Sequence, residues 1–146
     1  MNTRLQGIKR KIVYVGLYEA IAFVCGTLGF VIASNADVGT AGALSVFASV
    51  FAVVWNFTYN TLFEHWELGR TREGRSVLLR LTHAIGFELG FLVVLLPIVA
   101  WWLNISFARS FVINLGLNLF FIVHTIWFTW AFDRIFGLPE SARKGA

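Results

Sequence analysis

Two glutamates stand inside long apolar runs of this sequence, where an ionised side chain is rare. Glu19 lies about eight residues into the first run, and Glu88 occupies the matching place in a later run. A charged group at the centre of a membrane-spanning helix costs about 2.5–3.5 kcal/mol by insertion scales, which favours a functional explanation. Such a carboxylate can bind either a proton or a cationic ligand. In the structural alternative, Glu19 is paired with a nearby cation or hydrogen-bonded to Tyr14 or His83, and Glu88 is paired with Arg80 or His83.

Aromatic and polar residues recur at every fourth position in two other apolar runs. Residues four apart lie on one face of a helix, and lipid offers polar groups no partner, so these faces should point into a bundle or a water-filled cleft. The aromatic stripes are Trp55, Tyr59 and Phe63, and later His124, Phe128 and Phe132; the polar stripes are Asn56, Asn60 and Glu64, and later Thr125, Thr129 and Asp133.

Each stripe has a binding interpretation and a structural one. Trp55 and Tyr59 could stack on a flat cation, or anchor the membrane interface as aromatic residues near helix ends usually do. Asn56 and Asn60 could orient the carboxylates or join helices by hydrogen bonds. Glu64 and Asp133 lie near the cytoplasmic helix ends, where they could take part in transport, or instead be solvated or form a salt bridge with Arg70 or Arg134.

The elements that position these residues are four spans, at 12–33, 43–63, 81–103 and 111–132. The chain of 146 residues is 58% hydrophobic and 14% charged, against about 45–50% and 25% for soluble domains. Each span reaches the roughly 20 apolar residues that cross a bilayer. The composition therefore excludes a soluble domain and predicts an all-α membrane protein with four transmembrane helices.

The net charge of +4 is explained by where the basic residues stand rather than by nucleic-acid binding. By the positive-inside rule, the chain's two ends and its middle connection are cytoplasmic. The basic residues before the first span, in the middle connection and after the last span are Arg4, Lys9, Arg10 and Lys11, then Arg70, Arg72, Arg75 and Arg80, then Arg134, Arg143 and Lys144. Only Arg109 lies on the other side.

The chain also repeats itself in chemical character at a shift of 69 residues. Tyr18-Glu19 then meets Phe87-Glu88, and the stripes of the second span meet those of the fourth. Each half holds two spans, so the halves enter the membrane in the same direction, as parallel repeats do. We therefore expect one two-helix unit in residues 1–68 and a second in 69–146.

With these residues assembled, the sequence resembles the proteobacterial antimicrobial compound efflux (PACE) family, built from tandem bacterial transmembrane pair domains. The resemblance covers nearly the whole chain and rests on RLTHAIGFE, which opens the third span, and WNFTYNTLFEHWE, which closes the second. It implies a proton-coupled antiporter of the bacterial inner membrane, with Glu19 as the proton-coupling residue. Its implied substrates are cationic amphipathic biocides such as chlorhexidine, acriflavine and quaternary ammonium compounds, with polyamines as a further class.

The resemblance also assigns roles to other positions by their match to the family motifs. Those matched are Trp55, Asn56, Tyr59, Asn60, Phe63, Arg80, His83, Phe87, Glu88 and Asp133. The first span departs from the pattern at Lys11 and Tyr14, and the fourth has His124 where tryptophan is expected, which bears on the compounds recognised more than on the fold.

Other chemistry has little support in the sequence. His65, His83 and His124 do not form a metal-ligand spacing, the single Cys25 cannot form an intrachain disulfide, and no phosphate-binding loop or nucleophile elbow is present. We therefore expect no enzyme activity, metal or cofactor. The expected partners are protons, organic cations and the lipid bilayer, and a homodimer is compatible with so small a bundle. Two alternatives remain, a membrane scaffold or assembly protein and another type of small four-helix multidrug exporter.

Overall fold

Four long helices account for nearly all of the chain that the structure describes. The structure is a computed structural model, and it describes residues 5–69 and 77–137. The helices are α1 (Gly7–Ser34), α2 (Val38–Leu68), α3 (Val77–Leu103) and α4 (Phe107–Phe136), and each is long and apolar enough to cross a membrane. Within those ranges there is no strand, so the predicted four-helix class is confirmed.

Each helix begins about one turn before the apolar run that predicts it, and α2 and α4 also end about one turn after it, because polar residues at helix ends still satisfy their backbone groups within the helix. Tight caps form the two short connections. The Asp37 carboxylate accepts a hydrogen bond from the Thr40 amide at 2.9 Å, and the Ser106 hydroxyl accepts one from the Arg109 amide at 3.2 Å. Such capping supplies partners for amides that the first helical turn leaves free.

Asp37 lies between α1 and α2, outside the membrane-spanning helices. Hydrogen bonds from the Thr40 hydroxyl and from the Thr40 amide hold the pKa of the Asp37 carboxyl below its usual range. The ionised form of this side chain is therefore the one that caps α2.

The helices pack in antiparallel neighbours around a square. Tyr14 of α1 hydrogen-bonds to Thr129 of α4 at 2.7 Å, and at the opposite ends of the same two helices the Arg109 guanidinium donates to the Ala33 carbonyl at 2.7 Å. Contacts between α2 and α3 run in the same antiparallel way. Because α1 and α3 are both antiparallel to their neighbours, they run in the same direction.

The α1–α4 and α2–α3 interfaces are copies of one another under the shift of 69 residues. Both join the first helix of one repeat to the second helix of the other. The matched ring pairs, with centroid separations, are Tyr14–Phe128 and His83–Tyr59, both at 5.2 Å; Tyr14–Phe132 at 5.1 Å and His83–Phe63 at 4.5 Å; and Tyr18–Phe128 at 5.5 Å and Phe87–Tyr59 at 5.4 Å. The bundle thus has approximate two-fold symmetry relating the repeats.

The hydrophobic core lies at one end of the bundle. We call this the loop end, because it holds the α1–α2 and α3–α4 connections, and the opposite end the terminal end. All four helices contribute to the core, which consists of Phe30, Ala41, Leu44, Leu95, Val99 and Ile113. At the terminal end the most buried side chains, including Phe128 and Phe132, belong instead to separate two-helix interfaces. The helices are thus packed together on all sides at the loop end only.

Candidate functional site

A central cleft of about 470 Å³ lies between the four helices and contains both intramembrane glutamates. Its volume falls within the range of about 300–1,000 Å³ that is usual for small-molecule sites. The lining residues are Tyr18, Glu19, Ala22, Gly26 and Phe30 of α1; Ser45, Ala48, Ser49, Ala52, Val53 and Asn56 of α2; Phe87, Glu88, Phe91 and Leu95 of α3; and Asn114, Leu117, Asn118 and Phe121 of α4.

Glu19 and Glu88 are equivalent in the repeat but have different surroundings. Glu19 is exposed and forms no hydrogen bond with any residue of 5–69 or 77–137. Glu88 is partly buried, and its Oε2 accepts a hydrogen bond from the side-chain amide of Asn118. The partners considered from sequence, Arg80 and His83, are therefore wrong for Glu88.

Sequence reasoning missed Asn118 because its repeat counterpart is Ser49, which differs in type and carries no signal of equivalence. The available signal was helical spacing. Asn118 stands four residues after Asn114, and both asparagines line the cleft. Two amide side chains on one helix face are costly in lipid and indicate an interior face.

The loop end closes the cleft. Phe30 and Leu95 belong both to its lining and to the hydrophobic core, so the cleft ends on the tightly packed part of the bundle. Nearby, the Ser45 hydroxyl is buried and has no hydrogen-bond partner among the described residues. A buried hydroxyl without a partner is uncommon in proteins, and this one lines the cleft.

The aromatic stripe of α2 packs against α3, outside this cleft. Trp55 donates from its indole nitrogen to the Phe87 carbonyl at 3.2 Å, and the Tyr59 hydroxyl donates to the His83 carbonyl at 3.0 Å. The close approach is possible because Gly86 and Gly90 of α3 face these two rings. The structure thus gives Trp55 and Tyr59 a packing role, and their contact with substrate stays a prediction.

The polar stripe of α2 divides between the cleft and the helix interface. Asn56 lines the cleft, whereas the Asn60 side-chain oxygen lies 2.9 Å from Nε2 of His83, with which it is hydrogen-bonded. The equivalent interaction in the other half is the one between Tyr14 and Thr129. Asn60 and His83 therefore join α2 to α3, and Asn60 has no place in the lining of this cleft.

At the terminal end, Asp133 forms an ion pair with Arg10 of α1. Arg10 also donates to the Gly137 carbonyl at 2.7 Å and lies over the Phe132 ring at 4.9 Å. Arg134, the partner considered from sequence, instead lies over the Trp130 ring at 5.6 Å, so that expectation is wrong for Asp133. The pair ties the start of α1 to the end of α4.

The remaining motif positions are also accounted for. Phe63 packs against His83 in the α2–α3 interface, and Glu64 and Arg80 are exposed. Arg70, the partner considered for Glu64, lies outside the described residues. Among the described residues, no group of histidine, cysteine, aspartate and glutamate could hold a metal ion.

The cleft has the chemistry of a site for organic cations. Its two carboxylates are accompanied by aromatic and aliphatic side chains, and none of the described residues that line it is a lysine, arginine or histidine. Clefts lined by one sign of charge with apolar walls attract ions of the opposite sign. A ligand with positive groups and a hydrocarbon body would match both parts of this surface.

Comparison with known proteins gives a consistent answer. The family model for chlorhexidine efflux transporters matches the chain twice in tandem, over residues 6–69 and 75–138. A short-chain diamines transporter of Vibrio parahaemolyticus is 31% identical over 124 residues, which cover 82% of this chain and 88% of that protein. Proteins with the same name from Acinetobacter baumannii and Acinetobacter baylyi are each 33% identical over 127 residues, or 87% of this chain, covering 88% and 89% of those proteins.

No solved structure shows a significant match to this chain. The tandem match of the family model covers both halves of the repeat, and the three relatives are similar over most of their length. The RLTHAIGFE and WNFTYNTLFEHWE segments lie inside the matched ranges. This chain is a multi-pass membrane protein that belongs to the chlorhexidine efflux transporter family, the PACE family of membrane transporters.

Proposed function

We propose that this protein exports organic cations from the bacterial cytoplasm across the inner membrane in exchange for protons, with Glu19 as the exchanging residue. The observation that carries the proposal is the central cleft, where Glu19 stands without a protein partner among the described residues. The proposed substrates are short-chain diamines, after the names of the relatives, and cationic biocides such as chlorhexidine, acriflavine and quaternary ammonium compounds.

The mechanism follows from charge balance at Glu19. A bare carboxylate within the bilayer is unfavourable, and no described side chain neutralises this one. Its charge must therefore be matched by whatever enters the cleft, either a proton or an organic cation. Since the two exclude one another, a proton arriving from one side displaces a cation that came from the other.

The structure fits a state that faces the cytoplasm. The core closes the loop end, which the distribution of basic residues would place outside the cell. Export then requires the core contacts of Phe30 and Leu95 to separate while the terminal end closes. Hydrogen bonds and ring contacts join α1 to α4 and α2 to α3, and hydrogen bonds also join α3 to α4, so the motion must rearrange some of these helix interfaces.

The test is proton movement in proteoliposomes that contain a pH-sensitive dye. We would add diaminobutane, diaminopentane or chlorhexidine to vesicles of the native protein, of Glu19→Gln and of Asp37→Asn. The Asp37→Asn control makes the same carboxylate-to-amide change at an exposed residue outside the cleft. We expect substrate-dependent proton movement from the native protein and the control, and none from Glu19→Gln.

Two results would contradict the proposal. A folded Glu19→Gln protein that exchanges protons normally would remove Glu19 from the coupling step. A native protein that moves no protons with any of the cations would favour the scaffold interpretation, in which the repeated polar faces only hold helices together. Size-exclusion chromatography of each variant before reconstitution shows whether it is folded.

A further inference from the structure

Each half of the repeat places one carboxylate in the same cleft, but the two carboxylates have different hydrogen-bond partners. Asn118 donates a hydrogen bond to Glu88, whereas the repeat counterpart of Asn118 is Ser49, and Glu19 receives no hydrogen bond from any described residue. Ser49 and Asn118 both line the cleft. The two carboxylates are therefore equivalent in the repeat, but among the described residues only Glu88 is held by a hydrogen bond.

We propose that the cleft binds an organic dication by its two ends, with one ammonium group on Glu88 and the other on Glu19, and that Asn118 positions Glu88 as the fixed anchor. This proposal rests on the proposed function, because it describes how the transported cation is held. Glu19 is then the end of the site where cation and proton replace one another, and Glu88 keeps its cation contact until release.

The polar partners favour a ligand with two cationic ends. The Asn118 side-chain amide occupies one oxygen of Glu88 and limits the directions in which this carboxylate can point, leaving its other oxygen for a ligand. A monoamine would neutralise one carboxylate and leave the second without a counter-charge among the lining residues. A diamine neutralises both.

The rest of the lining fits the body of such a ligand. Phe91 and Leu95 lie on the same helix as Glu88 and provide apolar surface for methylene groups. Ser45, which also lines the cleft, is 5% exposed and its side chain packs against Gly26 of α1, so that α1 and α2 form a closed wall there.

The proposal is tested by comparing diaminopentane with pentylamine, which has the same hydrocarbon chain and one charge fewer. Binding to the full-length protein in detergent is measured by calorimetry. We expect the native protein to prefer the diamine at least tenfold. Glu88→Gln should abolish that preference, so that this variant binds the two amines within about twofold of one another, which is small on the scale of one charge contact.

Asn118→Ala distinguishes a positioning role from a structural one. It should reduce the preference for diaminopentane over pentylamine several-fold, whereas a general loss of packing would weaken both ligands alike. Ser49→Asn is the reciprocal change. It adds an amide donor on the Glu19 side of the repeat, and we expect it to slow proton exchange while diamine affinity is kept or raised.

The native protein alone offers a measurement that needs no variant to fold. With diamines of increasing length, two anchors predict an affinity optimum at one length. The matching monoamines should bind more tightly with each added methylene group, because only apolar burial grows.

The proposal is overturned if diamines show no optimum, if the native protein binds both amines equally, or if Glu88→Gln retains the preference for two charges. Loss of proton movement in Glu19→Gln, together with an unchanged diamine preference in Glu88→Gln, would leave the proposed transport function standing and reject the two-anchor site. A two-anchor site in a protein that moves no protons would reject the proposed transport function and leave the two-anchor site standing.

Discussion

Gly90→Ala tests how tightly the aromatic face of α2 packs on α3. A Cβ atom at residue 90 would lie 2.5 Å from Cζ2 and 2.8 Å from Cη2 of Trp55, whereas carbon atoms in contact prefer about 3.5–4.0 Å. Trp55 cannot move aside freely, because its indole nitrogen donates to the Phe87 carbonyl at 3.2 Å. The added methyl group must therefore displace the ring or separate the helices.

The expected cost follows from these contacts. Overpacking of a well-packed site costs about 1–3 kcal/mol, and loss of the Trp55 hydrogen bond adds about 0.5–1.5 kcal/mol. Replacing glycine by alanine within a helix returns about 0.5–1 kcal/mol. We expect a net loss of about 2 kcal/mol in the free energy of unfolding. Gly116→Ala is the matched control, since nothing lies within 4 Å of its Cβ position. It should show only the gain in stability that alanine provides over glycine within a helix.

The assay is unfolding by SDS titration in mixed micelles, followed by the fluorescence of the chain's six tryptophans. A double variant adds a specific check. The repeat counterparts of Gly90 and Trp55 are Ile21 and His124, so a larger aliphatic residue there accompanies a smaller ring. Trp55→His should accordingly recover much of the loss in Gly90→Ala. Equal stability of the Gly90→Ala and Gly116→Ala proteins, or no recovery in the double variant, would refute the packing argument.

Three further predictions concern the ends of the bundle. Asp133→Asn should lower the free energy of unfolding by about 1.5–3 kcal/mol, because the charged hydrogen bond to Arg10 is lost. Adding Arg10→Gln to this variant should lower the free energy of unfolding little further. Strictly additive losses from the two substitutions would count against the ion pair. The pKa of Asp37 is held low, so its stabilising effect is present above its unfolded pKa of about 3.9 and is lost as the pH falls through the folded value. Asp37→Asn keeps the cap, so its melting temperature should fall less between about pH 6 and about pH 3 than that of the native protein, and equal falls would contradict this account. Finally, in a chain whose single cysteine is replaced by serine, a membrane-impermeant maleimide should label Leu68→Cys from the cytoplasm only and Ala108→Cys from outside only; labelling of both from both sides would reject a single orientation.

Hydropathy and charge in the sequence were enough to predict the helices, because a membrane helix must be long and apolar wherever it stands in the bundle. The sequence also predicts the equivalence of Glu19 and Glu88, since the shift of 69 residues aligns an aromatic residue followed by an acid in both halves. The placement of both acids in one cleft needed the structure. Chemical character along a helix says which face is polar and does not say which neighbour that face meets.

The contacts that sequence reasoning misassigned are those between residues far apart in the chain. Arg10 precedes the first apolar run, so nothing local indicated that helix α1 begins early enough for it to reach Asp133. The sequence favoured a membrane-interface role for Trp55 and Tyr59 over contact with a cation, and the structure shows a third use, in which two glycines of α3 receive their rings. Those outcomes depend on helix pairing, which the pattern of one helix does not contain.

The two copied interfaces carry a consequence for how such a chain could arise. Each interface joins the first helix of one repeat to the second helix of the other, so a two-helix chain would find the same pair of surfaces in a second copy of itself. Fusion of two gene copies would then preserve the assembly while freeing each half to mutate alone. Ser49 and Asn118 show what that freedom permits, since a symmetric pair of identical chains would have to carry the same residue at both of these cleft-lining positions.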